Sequence, residues 1–163
     1  MPRPLGWCDL ARVIRRNHIK LQTSFTGPRQ VKVGFPAGKT DGETINKAIW
    51  NHYGTMSGET VDAGGVSGVE VYHIPPRPFL LNAIRKHRRN YLAAMKTAGA
   101  AILRGEVTLE QTMRKLGILA QGDIQQEITD LRDPPNAAST IAAKGSSNPL
   151  IDSGDMKSKV TWR

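Results

Sequence analysis

The chain has 163 residues, of which 39% are hydrophobic and 6% aromatic. This composition fits one compact domain with a modest core, and it excludes two full domains and a wholly disordered chain. Lys and Arg number 23 against 14 Asp and Glu, a net charge of +9 that predicts an acidic partner: nucleic acid, an anionic surface or an acidic protein.

Cysteine content and charge spacing bound the kind of protein further. Cys8 is the only cysteine, which excludes an intrachain disulfide framework and a multi-cysteine metal site. The longest run without a charged side chain is Ala48 to Gly58, 11 residues, too short to span a bilayer. The start of the chain lacks the continuous apolar stretch of a secretory signal. We therefore expect a soluble protein of a reducing compartment, without membrane partners.

The first predicted elements are an N-terminal arm and a strand. Residues 1–29 form a basic arm in which Asp9 is a suitable N-cap for a short helix to about Leu21. Residues 30–35, QVKVGF, alternate apolar and polar side chains with the period of a strand, and Pro36 ends it. Residues 37–42 then read as a turn.

A helix, a loop and a second strand follow. The spacing of apolar residues predicts a helix from Glu43 to Tyr53 whose apolar side covers the sheet. Residues 55–68 are rich in Gly, Ser and Thr without any period, which predicts a mobile loop. Alternation over 69–74 predicts a second strand, which the following prolines end. The side chains expected on the sheet-facing side of the helix are Ile45, Ile49 and Tyr53.

The most periodic segment predicts one long amphipathic helix from Leu80 to about Arg104. Its apolar stripe contains Ile84 and Tyr91, which we expect in the core, where replacement by Ala costs ~2 to 5 kcal/mol. Basic residues fall off this stripe, and no acidic residue follows along the helix before Glu106. These basic residues are Arg85, Lys86, Arg88 and Arg89.

The last third of the chain predicts further helices and a final strand. Thr108 and Gln111 form a capping-box pattern that opens a second helical region, with a bend expected at Gly117 and Gly122. A short helical turn over 139–144 and a strand over 158–163 complete the chain.

Together these elements predict an α+β fold in a single domain over residues 30–163. Its small, mostly antiparallel sheet contains the strands at 30–35, 69–74 and 158–163 and packs against the long amphipathic helix. Further helices and extended loops surround this core.

The sequence contains only weak candidates for phosphate-binding, metal-binding or catalytic motifs. The string GFPAGKT, Gly34 to Thr40, is one residue short of a phosphate-binding loop, and Pro36 removes an amide that such a loop needs, so a turn is favoured. No two histidines stand at the spacing of metal ligands on one helix face. Asp123 and Glu127 share a helix face, where we expect a solvated edge beside Lys115 and Arg132. We therefore predict no enzyme activity, no cofactor and no metal.

The basic block of the long helix has two interpretations, a solvated face or a face that binds a polyanion. The absence of interspersed acids favours binding to an acidic protein or to the DNA backbone. Tyr91 is the one aromatic residue within the block, so a platform for stacking bases is not expected.

Five strings in order resemble one family. Ile74 to Leu80, IPPRPFL, is similar to a proline-rich string that opens a long helix in the tailed-bacteriophage minor tail component or neck protein family. The resemblance covers about residues 30–163. The other strings are VKVGFPAG at 31–38, AIWNHYGT at 48–55, VTLEQTMRKLGILAQGDIQQEITD at 107–130 and STIAAKGSSNPLIDSGDMKSKVTW at 139–162.

The resemblance implies a virion structural protein that is assembled in the host cytoplasm and forms a six- or twelve-fold ring in the neck, joining head to tail. Its implied neighbours are connector, tail terminator or tail tube rings, and genomic DNA would pass through its lumen without sequence specificity. The family assigns no catalytic residues. A basic DNA-binding accessory protein is the alternative, and a small hydrolase is a remote third.

On this interpretation three sets of residues are candidates for function. The structural motif is Ile74, Pro75, Pro76, Arg77, Pro78 and Phe79. The contacts to the DNA channel or to an acidic partner are Arg85, Lys86, Arg88 and Arg89. The contacts to neighbouring subunits, drawn from the arm and from the loop at 55–68, are Trp7, Val61 and Val66.

Overall fold

The computed structural model describes residues 26–55 and 74–163. Within these ranges the chain forms five helices and one two-stranded antiparallel sheet, so the fold is mixed and of the α+β type. In chain order the elements are β1 (Val33–Gly34), α1 (Gly42–Tyr53), α2 (Phe79–Leu103), α3 (Leu109–Asp130), α4 (Ala138–Lys144), α5 (Asp155–Ser158) and β2 (Thr161–Trp162).

The chain divides into two compact units. Of the described residues, the first unit contains 26–32 and 88–118, and the second contains 33–55, 74–87 and 119–163. Helices α2 and α3 therefore contribute residues to both units, while the sheet, α1, α4 and α5 belong to the second.

The sheet is shorter than predicted. Val33 lies opposite Trp162 and Gly34 opposite Thr161, so the strands expected at 30–35 and 158–163 do pair with each other, but over two residues each. Near the C-terminus, helix α5 extends to Ser158. The amides of Ser158 and Lys159 donate within this helical turn, so they are not available for pairing with another strand. The strand predicted at 69–74 lies outside the described residues except for Ile74, which is not in a strand.

Local capping explains where α1 begins and ends. The Asp41 carboxylate accepts a hydrogen bond from the Thr44 amide at 2.8 Å and pairs with the Lys159 ammonium. The Lys159 contact, followed by the bonds from Thr44, holds the pKa of Asp41 far below its usual range. At the other end Gly54 has φ +79°, and a Cβ there would lie 2.8 Å from the Ile74 carbonyl oxygen, so glycine is required.

The capping box predicted at the start of α3 is confirmed. The Thr108 amide donates to Gln111 Oε1 at 3.1 Å, and the Gln111 amide donates to Thr108 Oγ1 at 3.2 Å. Gly117 and Gly122 both lie inside this one helix and do not end it. The helical turn predicted at 139–144 corresponds to α4.

The core of the second unit gathers side chains from β1, α1, α2, α3 and the C-terminal segment. Phe79 is fully buried, and its ring meets that of Phe35 edge to face at a centroid distance of 6.3 Å. The buried members of this core are Ala48, Phe79, Ala83, Ile124, Ile128, Leu131, Leu150, Met156 and Val160.

The apolar side predicted for α1 is wrong by one residue, and the stripe predicted for α2 is wrong at Ile84. On α1 the buried residues are Thr44 and Ala48, while Tyr53 is 75% exposed. On α2 Ala83 is buried and Ile84 is 48% exposed, which also contradicts the large cost predicted for replacing Ile84 with Ala. On α1 small side chains occupy the buried positions, which lets the neighbouring elements pack closely and leaves larger apolar groups outside.

Candidate functional site

The proline-rich motif contains the one charged side chain that is almost fully buried among the described residues, Arg77 at 3% exposure. Its Nε donates to the Pro134 carbonyl oxygen at 2.8 Å, and its Nη2 donates to the Pro135 carbonyl oxygen at 3.0 Å. Weaker bonds of 3.3 Å run to the side-chain oxygens of Asn51 and Asn136. We call these five residues the Arg77 clamp, since one guanidinium connects α1 to the segment after α3.

The sequence around Arg77 explains why it turns inward. Pro78 restricts the backbone of Arg77 to extended conformations, and the Arg77 amide donates to the Asn51 carbonyl oxygen at 2.7 Å. Pro134 and Pro135 lack an amide hydrogen, so they cannot donate within a helix or a strand. Their carbonyl oxygens accept hydrogen bonds from the guanidinium of Arg77, which is planar and carries several N–H donors.

The hydrogen bonds of the Arg77 clamp indicate a structural role. A guanidinium has five N–H donors, and the four hydrogen bonds use all but one of them. All four acceptors are neutral, so burial without an opposing carboxylate lowers the pKa of Arg77. Since few donors remain for a ligand, the arrangement favours holding two chain segments together over binding an anion.

The other residues of the motif fix the surroundings of Arg77. The Ile74 amide donates to Thr55 Oγ1 at 3.0 Å, and the Thr55 amide donates to the Ile74 carbonyl oxygen at 3.0 Å. Pro76 lies against Gly54, and Phe79 enters the core. The motif therefore joins the end of α1 to the start of α2.

His52 packs as an aromatic ring beside this motif. Its ring meets Phe79 edge to face at 5.4 Å, and its Nδ1 is buried without a hydrogen-bond partner among the described residues. Burial lowers the pKa of His52. The neutral ring is thus the form that the folded chain accommodates.

The four basic residues predicted to contact DNA or an acidic partner all lie exposed on α2. Lys86 Nζ is 3.4 Å from Glu127 Oε2 on α3, so this residue is paired within the chain. Arg85, Arg88 and Arg89 form no ion pair with another residue in the described ranges.

The solvated edge predicted at Asp123 and Glu127 is wrong. Both carboxylates are largely buried and face α2, where His87 Nδ1 lies 3.7 Å from Asp123 Oδ1 and Lys86 meets Glu127. A contact between two helices brings these residues together, and spacing along α3 alone does not reveal it.

The part of α2 in the first unit carries a mixed surface. Large apolar side chains are exposed at Leu92 (51%) and Leu103 (57%), and cationic residues stand between them. Helical periodicity places these residues on one side of α2. We call this set the basic-apolar surface: Arg88, Arg89, Leu92, Met95, Lys96 and Leu103.

Two separate groups of residues lie around α1 on the second unit. Ile49 and Tyr53 are exposed on this helix. Glu43 forms an ion pair of 2.5 Å with Lys47, and Asp152 and Asp155 line the same pocket as Lys47. These three carboxylates raise the pKa of Lys47, Glu43 most strongly. Helical periodicity places Ile49 and Tyr53 on the opposite side of α1 from Lys47 and Asn51, so the exposed apolar residues and these carboxylates do not form one surface.

Other predicted sites fall into two groups. Trp7, Val61 and Val66, the proposed contacts to neighbours, lie outside the described residues. The segment Gly34 to Thr40 forms a turn in which the Pro36 carbonyl oxygen accepts from the amides of Lys39 and Thr40, both at 3.2 Å. That turn is the structure the sequence favoured over a phosphate cradle.

Neither metal ligands nor membrane-spanning helices mark a further site in the described residues. In residues 26–55 and 74–163 no three His, Cys, Asp or Glu side chains group as metal ligands. Among the helices of those ranges, none has the length and apolar character to cross a membrane. Comparison of the chain with protein-family models, curated proteins and solved structures finds no match. What the chain does is therefore inferred from its own residues and contacts.

Proposed function

We propose that the chain is a structural subunit of a tailed-bacteriophage virion, which forms a ring in the neck and joins head to tail. One observation carries the proposal: the five strings that resemble the neck protein family, though far apart in sequence, all supply residues to the same core of the second unit. Those residues are Val33 and Phe35 from the first string, Ala48 from the second, Phe79 from the third, Ile124 and Ile128 from the fourth, and Leu150, Met156 and Val160 from the fifth.

Shared participation in one core supports a common fold. Side chains that pack together constrain one another, so a family that keeps its fold keeps these segments in order. We therefore extend the proposal to the finer architecture, a small sheet packed against α2 as a long amphipathic helix.

The exposed surfaces suit a protein that works through contacts. Arg85, Arg88 and Arg89 are exposed and unpaired with any described residue, so they are available to an acidic neighbouring ring or to DNA in the lumen. Trp7, Val61 and Val66 remain the proposed contacts of the arm and loop to adjacent subunits.

Native mass spectrometry and negative-stain images of the purified protein test this proposal. We expect a closed ring, with a mass of about 107 kDa for six copies of the 17.9 kDa chain or about 215 kDa for twelve. Labelled protein should be found at the junction of head and tail in virions. A stable monomer that binds duplex DNA with strong salt dependence would instead favour the DNA-binding accessory protein.

A further inference from the structure

We propose that the basic-apolar surface of α2 is a docking site for an acidic amphipathic helix of a partner protein, with one apolar side chain of that helix seated at Gly99. The inference goes beyond the proposed function, because it concerns the chemistry of the partner and holds whether or not the chain builds a neck ring. The surface belongs to the first unit, and the Arg77 clamp belongs to the second.

The first unit leaves much of its apolar side-chain area exposed. On the basic-apolar surface Leu92, Met95 and Leu103 are 51%, 45% and 57% exposed. Among the described residues of this unit, the buried side chains are those of Ile102 and Thr112. Apolar residues grouped on one side of a helix, next to charges, are typical of protein interfaces, and covering them contributes free energy to binding.

Gly99 forms a notch in this surface. Glycine inside a helix is less favourable than alanine, and apart from adjacent residues and the backbone of its own helix, no atom of the described residues lies within 4 Å of the position that a Cβ would take. Packing within the described chain therefore does not explain the glycine. When two helices pack, a side chain of one enters a hole between four residues of the other, at positions i, i+3, i+4 and i+7. The hole that has Gly99 at one corner consists of Leu92, Met95, Lys96 and Gly99.

The charges of the surface select an acidic partner. Arg88, Arg89 and Lys96 are exposed and form no ion pair with another described residue, and α2 contains no acidic residue. The next arginine along the chain, Arg104, is by contrast paired with Glu106. Carboxylates on a partner helix would therefore meet unpaired cations over about four turns of α2.

Other partners fit the surface less well. DNA phosphates would pair with the cations but leave Leu92 and Leu103 in water. A membrane surface requires an uninterrupted apolar face, whereas Arg88 lies one turn before Leu92 on the same side of the helix. The α2 helix of a second copy would oppose cations to cations. An acidic amphipathic helix covers the leucines and also pairs with the cations.

Binding of synthetic peptides to the full-length protein tests the inference. The probe is a helical peptide of three heptads with Leu at the first and fourth positions and Glu at the flanking positions. Its counterpart has Lys in place of each Glu. We expect the acidic peptide to bind with a dissociation constant of about 1 to 100 µM and the Lys counterpart to bind at least about a hundredfold more weakly, as measured by fluorescence anisotropy.

Gly99→Leu tests the notch. The variant fills the hole with an apolar side chain, favours the helix and leaves the charge unchanged, and we expect the affinity for the acidic peptide to fall at least about tenfold. Non-specific apolar contact predicts tighter binding instead, because the variant adds apolar area. Gly122→Leu is the matched control, since Gly122 lies inside α3 with open space at its Cβ position and outside the surface, and its affinity should equal that of wild type.

Replacing Arg88 and Arg89 together by Glu tests the charges, and we expect at least about a tenfold loss of affinity for the acidic peptide. Replacing Arg114 and Lys115 together by Glu makes the same change of net charge at exposed positions of α3, and it should alter the affinity by less than about threefold. Circular dichroism would verify that every variant is folded.

Three peptide results overturn the inference. The first is no detectable binding of the acidic peptide at about 500 µM. The second is an affinity of Gly99→Leu equal to or above that of wild type. The third is an equal loss for the pair on α2 and the pair on α3, since the attraction would then be general.

Two further probes test the other partners. Sedimentation of the protein with vesicles of phosphatidylcholine and about one quarter phosphatidylglycerol, lost in Leu92→Asp, would assign the surface to lipid. Binding of duplex DNA that the Arg88 and Arg89 replacements abolish and Leu92→Asp leaves unchanged would assign it to DNA. Either result overturns the inference and leaves ring formation to its own measurement by native mass spectrometry.

Discussion

Removing the guanidinium of Arg77 is the sharpest test of the clamp. Arg77→Met keeps most of the aliphatic volume but leaves the carbonyl groups of Pro134 and Pro135, at 2.8 and 3.0 Å from their donors, without partners. A hydrogen bond from a charged donor contributes about 1.5 to 3 kcal/mol, and an unpaired buried carbonyl costs about 1 to 3 kcal/mol. The variant also avoids the cost of burying a charge, so we expect the free energy of unfolding to fall by roughly 3 to 5 kcal/mol.

Urea unfolding followed by circular dichroism measures this loss. Arg77→Lys should recover little, since one ammonium cannot donate in the plane of both carbonyls and reach Asn51. Arg88→Met, an exposed arginine without a described ion pair, is the control and should change the free energy of unfolding by less than about 0.5 kcal/mol. A loss below about 1 kcal/mol for Arg77→Met would refute the view that the clamp stabilises the second unit.

Four further substitutions probe the core, the junction and the buried histidine. Phe79→Ala should lower the free energy of unfolding by about 3 to 5 kcal/mol, because Phe79 is buried, and Ile84→Ala, at an exposed position, by less than about 1 kcal/mol. Urea titrations measure both losses. Equal losses would contradict the burial of Phe79 and the exposure of Ile84. Gly54→Ala should cost about 1 to 3 kcal/mol in thermal unfolding, because φ is +79° and a Cβ would meet the Ile74 carbonyl; an unchanged Tm would argue against this packing. The folded-state pKa of His52 lies below the unfolded value of 6.5, so its contribution to stability is complete above about pH 6.5 and is lost as the pH falls from there through the folded-state pKa. His52→Gln should flatten the urea midpoint against pH in this window, and an unchanged slope would assign the effect to another group.

Helix positions were predictable where local chemistry decides them. Asp41 caps α1, Gly54 ends it with a positive φ, and Thr108 and Gln111 exchange hydrogen bonds at the start of α3. Each of these signals lies within a few residues of the backbone group that it satisfies, so sequence spacing is sufficient. Strand lengths were less predictable, because a strand needs a partner, and the helical turn of α5 includes Ser158, where the predicted strand begins.

The partners of Arg77 could not be predicted from spacing. Pro134 and Pro135 lie 57 and 58 residues from Arg77 in the chain, and nothing in either local string specifies the other. The composition did hold a weak signal, since adjacent prolines leave carbonyl acceptors without neighbouring amide donors, and an arginine set among prolines has the donors to match them.

The misassigned apolar side of α1 has a physical cause that bears on function. An apolar stripe with helical period is equally compatible with burial in the core and with burial at an interface. Periodicity therefore does not show which side of the helix faces the core. In α1 the buried face consists of small residues, Thr44 and Ala48, and the larger Ile49 and Tyr53 are exposed. Large apolar side chains that stay exposed in the folded chain gain nothing from folding. Their apolar area can contribute free energy only when another surface covers it.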